Sequence, residues 1–283
     1  MKDDYEEIFL GKYSSSDFGS FYREYESCIR ELNNAPNEFK KILKKDIKNN
    51  VKIDDIFQNR DQLENHRKFF RKNSKANDYV TDYWLSKVNK KSTIISLSNN
   101  IEFNELTIEQ AFDILSVNFT TASFLEMPSL LLKHGIILVY EKSIPGLNVD
   151  GVVYKNSNGN PVIALSIRHN RLDNFWFTLA HEISHIILHY NQLDTIIIDD
   201  FDKLDEEHIE YEANRLAADL LIPRTTWRSS PVKSSSKSYD VINYATEINV
   251  HPAIIAGRIR RETKNYKILT DIIFKTDLRK ELF

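Results

Sequence analysis

The segment 173–189, DNFWFTLAHEISHIILH, decides how the chain is read. Phe175, Trp176, Leu179, Ile183, Ile186 and Ile187 leave few polar positions, which predicts one largely buried helix over about 173–190. Asp173 is the expected N-cap. His181 and His185 are four residues apart, so they stand one turn apart on the same face. That spacing lets both imidazoles reach a single ion. Glu182 follows the first of them and can lie beside a metal-bound water without ligating the metal, which is the arrangement of a general base. Buried without partners, these three side chains would be costly. A divalent cation gives them a reason to be there; the alternative is a set of core histidines satisfied by backbone groups. His189 lies one turn further on. A straight helix does not let it converge with the other two, so it is expected at a pocket rim, as a candidate for binding substrate or stabilising a transition state.

A tetrahedral catalytic zinc needs a third protein ligand and an open position for water. The next polar helix, 205–221, reads DEEHIEYEANRLAADLL and is stopped by Pro223. Several of its carboxylates compete for that role. Glu210 and Asn214 share a face by their i, i+4 spacing, which places Asn214 to hydrogen-bond an imidazole. Asp205, Glu206 and Glu207 complement the helix dipole. Glu212 is expected to be an outward charge, and His208 is the alternative ligand.

Working outward, a small sheet precedes the helix. Ile136–Tyr140, Gly151–Tyr154 and Pro161–Leu165 predict three short strands, and Asn156-Ser157-Asn158-Gly159-Asn160 predicts the hairpin turn between the last two. Upstream, Ile108, Ala111, Phe112 and Leu115 follow helical spacing with Thr107 as cap. A second helix is expected over Ser123–Lys133, with Gly135 as its stop. The last helical span covers about 239–264, and the Ser/Lys-rich segment Ser229–Ser238 is expected to be a mobile surface loop. The fold class is therefore α+β. Residues 1–100 look helical and polar, and residues 101–283 form the chemistry-bearing domain. The polar stretch Lys90–Asn100 marks the expected boundary.

Composition narrows the function classes. The net charge is −3 and 28% of residues are charged, so nothing global calls for a polyanion or a membrane partner. No run is long and apolar enough for a membrane span. Cys28 is the one cysteine. It excludes an intrachain disulfide and a cysteine-based metal site, so any metal must be held by His and carboxylates. A lone thiol and a charged Met1–Glu7 segment without an apolar core give a cytoplasmic expectation. The basic run Lys40–Lys48 is expected to be a solvated helix face.

The motifs FWFTLAHEISH at 175–185, EYEAN at 210–214 and AADLLIP at 217–223 resemble the ImmA/IrrE family of metallopeptidase-like proteins. The strands 135–139 and 161–165 and the segment Ala256-Gly257-Arg258-Ile259 are similar too. The likeness covers roughly residues 105–265 and extends to the C-terminal part of fusions with repressor or HigA-type antitoxin domains. It implies a zincin-like fold binding one Zn2+ per chain, with His181, His185 and Glu210 as ligands and Glu182 as the base. It also implies a protein substrate, a helix-turn-helix repressor or antitoxin whose cleavage relieves repression in a stress, mobile-element or phage response. Residues 1–60 lack the glycine and small-residue punctuation of a helix-turn-helix, which leaves residues 1–100 as a sensor or partner-docking region. His189, Tyr190 and Arg258 are the candidates for stabilising a developing oxyanion. The competing possibility is a DNA-binding regulator or antitoxin that uses the fold as a sensor or scaffold without turnover. Its support is the helix–turn–helix spacing of 241–261, with Asn249-Val250 in the turn and Arg258, Arg260 and Arg261 on the second helix. Two core helices packed against the peptidase account for the same pattern and are favoured over DNA binding.

Overall fold

The computed structural model describes residues 36–48, 78–99, 101–119, 123–193, 197–198 and 207–283. The expectations for Cys28, for Met1–Glu7 and for Asp205 and Glu206 lie outside them. The helices are α1 (Asn37–Lys48), α2 (Asp78–Ser98), α3 (Ile108–Ser116), α4 (Met127–Leu132), α5 (Leu172–His189) and α6 (Glu207–Leu221). They are followed by α7 (Arg224–Arg228), α8 (Ser238–Glu247), α9 (Pro252–Thr263), α10 (Thr270–Ile273) and α11 (Leu278–Leu282). The strands are β1 (Ile137–Tyr140), β2 (Gly151–Lys155), β3 (Pro161–Leu165) and β4 (Ile197–Ile198), in the sheet order β1-β3-β2-β4. The fold is α+β, as the sequence pattern predicts.

Two compact units divide the chain: Met1–Lys87 with Ile144–Asn148, and Val88–Ser143 with Val149–Phe283. In the first, α1 buries Phe39 and Leu43 and exposes Lys41 and Lys45, the solvated face expected of its lysines. Phe39 meets Tyr83 edge to face at 5.5 Å. The polar stretch expected to be a boundary is helical through Ser98, because Lys90–Ser98 continues α2.

The second unit is built around α5. The sheet lies on one side of it: β1 runs parallel to β3, and β2 runs antiparallel to both β3 and β4. The β2–β3 turn closes as expected. Asn156 Oδ1 accepts from the backbone N–H groups of Asn158 and Asn160, and Gly159 takes φ 82°. The two-residue β4 had no sequence signal of its own.

Local rules explain most of the other ends. Thr107 and Gln110 form a reciprocal capping box at the start of α3. The buried face of that helix is Ala111, Ile114 and Leu115, while Ile108 and Phe112 are exposed, contrary to the spacing read from the sequence. The helix expected from Ser123 is shortened. A 3-10 turn covers Ser123–Leu125 and α4 starts only at Met127, because Pro128 fits the first turn of a helix but not its interior. Gly135 ends it at φ 76°, with Ile136 N–H reaching back to Leu131 O. The Ser229–Ser238 segment is not a simple surface loop. It buries Val232 and Ser230, and the Ser230 hydroxyl accepts from Val232 N–H.

The N-terminus of α5 departs from expectation. Arg171 occupies the N-cap position and makes no side-chain cap. Asp173 sits inside the first turn and takes both of its bonds from Arg171, at 3.0 and 2.6 Å. There it still complements the helix dipole. α9 crosses at this point, and a Cβ on Gly257 would lie 2.7 Å from Asp173 Cβ. Glycine is what permits that approach. The expected helical span 239–264 divides into α8 and α9 at Asn249, which takes φ 53°. His251 then caps α9, its Nδ1 accepting from Ala253 N–H, with Pro252 at the first helical position.

Two outcomes follow. Gly257→Ala forces α9 away from Asp173 and is expected to destabilise by about 1–3 kcal/mol, read as a lower urea midpoint. Burial, assisted by Lys275, pushes the His251 imidazole down to about 4. The folded chain therefore binds fewer protons at this residue than the unfolded chain. Its contribution is complete above about pH 6.5 and is lost as pH falls toward 4. His251→Asn keeps a capping acceptor without the titration. Its unfolding midpoint should fall less steeply than that of wild type between pH 6.5 and 4.5, and identical slopes would refute the assignment.

Candidate metal centre

α5 is apolar on nearly every side, with Phe175, Trp176, Leu179, Ile183 and Ile186 in the core. His181, Glu182, Ser184 and His185 lie in the same helix with no solvent exposure. Placing these polar groups there is costly unless each meets a partner or an ion. α6 is the neighbour that supplies one. Its Ala213 and Ala217 are fully buried, which leaves room for the two helices to approach, and Glu210 projects to the same point as the two imidazoles.

The distances are short. His181 Nε2 and His185 Nε2 are 2.9 Å apart. Glu210 Oε2 lies 3.1 Å from the first and its Oε1 lies 3.4 Å from the second. A tetrahedral zinc with bonds of about 2.0–2.1 Å would hold neighbouring donors about 3.3 Å apart. The three observed separations are close to that edge length. The donor set, two imidazoles and one carboxylate, therefore fits a divalent metal.

The electrostatics agree. Burial pushes the His185 imidazole down to about 4, so it is neutral near pH 7 and offers a lone pair. Burial also works to raise the Glu210 carboxyl, but hydrogen bonding to His181 and His185 outweighs it and holds the group at about 2. A neutral His185 imidazole and an anionic Glu210 carboxylate meet beside the His181 ring.

Glu182 lies beside this cluster, on the side facing β2. A Cβ built on Gly151, the first residue of that strand, would lie 2.3 Å from Glu182 Oε1 and 2.6 Å from Thr178 Cγ2. The glycine is thus the space in which the carboxylate sits. Sequence reasoning took Gly151 only as a strand residue. The available signal was a glycine opening a strand of large residues, Val152-Val153-Tyr154, which marks a close approach by another group.

The remaining expected site residues are placed as follows. His189 is buried beside His185, with their Nδ1 atoms 3.1 Å apart, rather than at an open rim. Glu212 is not simply an outward charge, because its Oε2 contacts His189 Nε2 at 3.4 Å and His208 Nδ1 at 3.1 Å. His208 itself is largely exposed and stands outside the ligand cluster. Asn214 Oδ1 is buried without a hydrogen-bond partner among the described residues, so the bond to an imidazole expected for it is not formed. Tyr190 donates to Gly159 O and stacks on Phe103. Arg258 donates to the carbonyls of Ala218 and Ile222 at the end of α6, pairs with Glu262 and covers the Trp227 ring. Neither Tyr190 nor Arg258 is brought to the cluster by these bonds.

The arginines of the 241–261 segment are held by contacts within the fold, although Arg261 is itself exposed. Arg260 is buried and donates to Tyr266 O, and Arg261 lies over the Phe177 ring at 4.5 Å. α8 and α9 contribute Val241, Ala245, Ile255 and Ile259 to the core around α5. They pack as core helices, and a DNA-reading role is not favoured. No described helix is long and apolar enough to cross a membrane.

Compared with known proteins, residues 133–260 match the family model described as the IrrE N-terminal-like domain, Peptidase_M78. A search of the curated proteins finds no match. The matched residues include β1 to β3, α5 and α6, and with them every residue of the candidate metal cluster. A family of this name, over a donor set of this kind, suggests a metallopeptidase. Residues 133–260 are thus similar to the IrrE N-terminal-like domain of the Peptidase_M78 family, consistent with an ImmA/IrrE family peptidase.

Proposed function

We propose that the chain is a zinc-dependent endopeptidase of the cytoplasm, with His181, His185 and Glu210 holding the metal and Glu182 as general base. The observation that carries this is the convergence of two buried imidazoles and a carboxylate from the next helix, with a second carboxylate beside them in a space kept by Gly151. A zinc ion bound there would lower the pKa of a water and polarise a carbonyl. The chain's own part is positional and protic. Glu182, whose orientation is fixed by burial against Gly151 and Thr178, takes the water proton on a carboxylate oxygen and passes it to the leaving amine nitrogen. His181, His185 and Glu210 stay fixed through the reaction, because each belongs to a packed helix rather than a loop.

The substrate we propose is a helix-turn-helix repressor or antitoxin, whose cleavage relieves repression. The family resemblance supports that class, and so does the match to the IrrE N-terminal-like domain. Residues 1–100 are proposed as the sensor or partner-docking region.

The decisive experiment pairs the full chain with a helix-turn-helix protein encoded beside it. Wild type is expected to cut that protein in a chelator-sensitive reaction. Glu182→Gln should retain one zinc per chain and lose cleavage by at least about 100-fold, the lower end of the range for removing a general base. Wild-type rates in that variant would end the proposed mechanism. A second outcome concerns Gly151→Ala, whose added methyl would lie 2.3 Å from Glu182 Oε1 and so displace it. Zinc content should be unchanged, while kcat falls about 100-fold through a displacement of about 1 Å. Loss of zinc instead of turnover would show that Gly151 serves the fold and not the base.

A further inference from the structure

One line of polar contacts leaves the candidate metal cluster from the far side of the His185 ring. His185 presents Nε2 to His181 and Glu210, and its other nitrogen, Nδ1, lies 3.1 Å from His189 Nδ1. His189 Nε2 lies 3.4 Å from Glu212 Oε2. The same carboxylate oxygen is met from the solvent side by the exposed His208. His185 has no solvent exposure and His189 almost none, whereas the Glu212 side chain is about half exposed, at 45%.

Chemistry fixes the direction of this line. A neutral imidazole carries one proton, so a ring that offers one nitrogen to a metal must hold its proton on the other. With a metal on Nε2, His185 would be the Nδ1–H tautomer and would donate to His189 Nδ1. His189 must then accept at Nδ1 and carry its proton on Nε2, where a carboxylate stands to receive it. Glu212 is acceptor-only when ionised and favours that placement. Each member thus determines the tautomer of the next.

We infer that Glu212 and His189 are positioning residues for the metal ligand His185, with Glu212 setting its tautomer through two successive imidazole rings. The inference rests on the metal reading above and adds to it a partner that sequence spacing did not connect to the site. Ligating histidines generally donate their second N–H to a carboxylate or carbonyl, and loss of such a partner weakens metal binding about 10–100-fold. Here the carboxylate is one ring further away, and a second histidine fills the gap.

The test is zinc affinity at fixed pH, measured by competition with a chromophoric chelator, on the full chain. Wild type is expected to bind one zinc. His189→Phe removes the acceptor and should weaken binding about 10–100-fold. His189→Asn places an amide oxygen near the former Nδ1 and should restore most of that loss, which a purely space-filling role would not predict. Glu212→Gln, at a half-exposed position, should weaken binding in the wild-type background but leave the His189→Asn protein unchanged, because the link is already cut. If the Glu212→Gln effect is equal on both backgrounds, only its charge matters and the relay is refuted. His189→Phe binding as tightly as wild type would refute it also. A wild-type chain that takes up no zinc would overturn the metal reading itself, and the relay with it.

Discussion

The second unit of this chain is organised by a solvation problem. α5 is apolar enough to be a core helix, yet it carries His181, Glu182 and His185 into the interior with no exposure to water. An apolar environment gives such groups nothing to bond with, so the surrounding elements must each bring something. α6 brings Glu210. β2 brings an absence, the missing side chain of Gly151. The end of α5 brings His189, and through it Glu212. The sheet and the C-terminal helices pack on the other faces of the same helix.

That arrangement separates two kinds of precision. Ligand positions are set by helices, whose side-chain directions follow from backbone geometry and from a fixed turn spacing. The two imidazoles are therefore close to one another wherever the helix itself forms. The third donor of the cluster, Glu210, depends on how two helices meet, and that meeting is controlled by small residues. Ala213 and Ala217 on α6 are fully buried, and larger side chains there would move Glu210 away from the imidazoles.

The sequence made the local parts legible and the long-range parts less so. The periodicity of 173–189, the strands, the Asn156–Asn160 turn, the Thr107 cap and the Gly135 stop all follow from short-range rules, and the structure contains each. His181 and His185 were visible for the same reason, because their relationship is confined to one helical turn. Asp173 and the exposed Ile108 and Phe112 were misread where a neighbouring side chain or a distant packing partner decided the outcome. Gly151 and Glu212 owe their roles to contacts between separate elements, for which a single sequence offers no spacing rule. The choice of Glu210 among several carboxylates needed a resemblance to known proteins. The structure then brought that residue to the two histidines.

The Arg258 strut has a bearing on where the domain can be cut. Its guanidinium joins two terminal carbonyls of α6, at Ala218 and Ile222, to the Glu262 carboxylate and the Trp227 ring. α6 carries Glu210 and buries Leu220 and Leu221 at its far end, but the polar brace on its last carbonyls is not its own. That brace arrives from α9, well after the motif that ends at Pro223. A fragment ending soon after Pro223 would hold every chemically recognisable group and lack the brace that keeps one of them in place. The smallest working piece of this chain is consequently set by its mechanical closure and extends well past its signature.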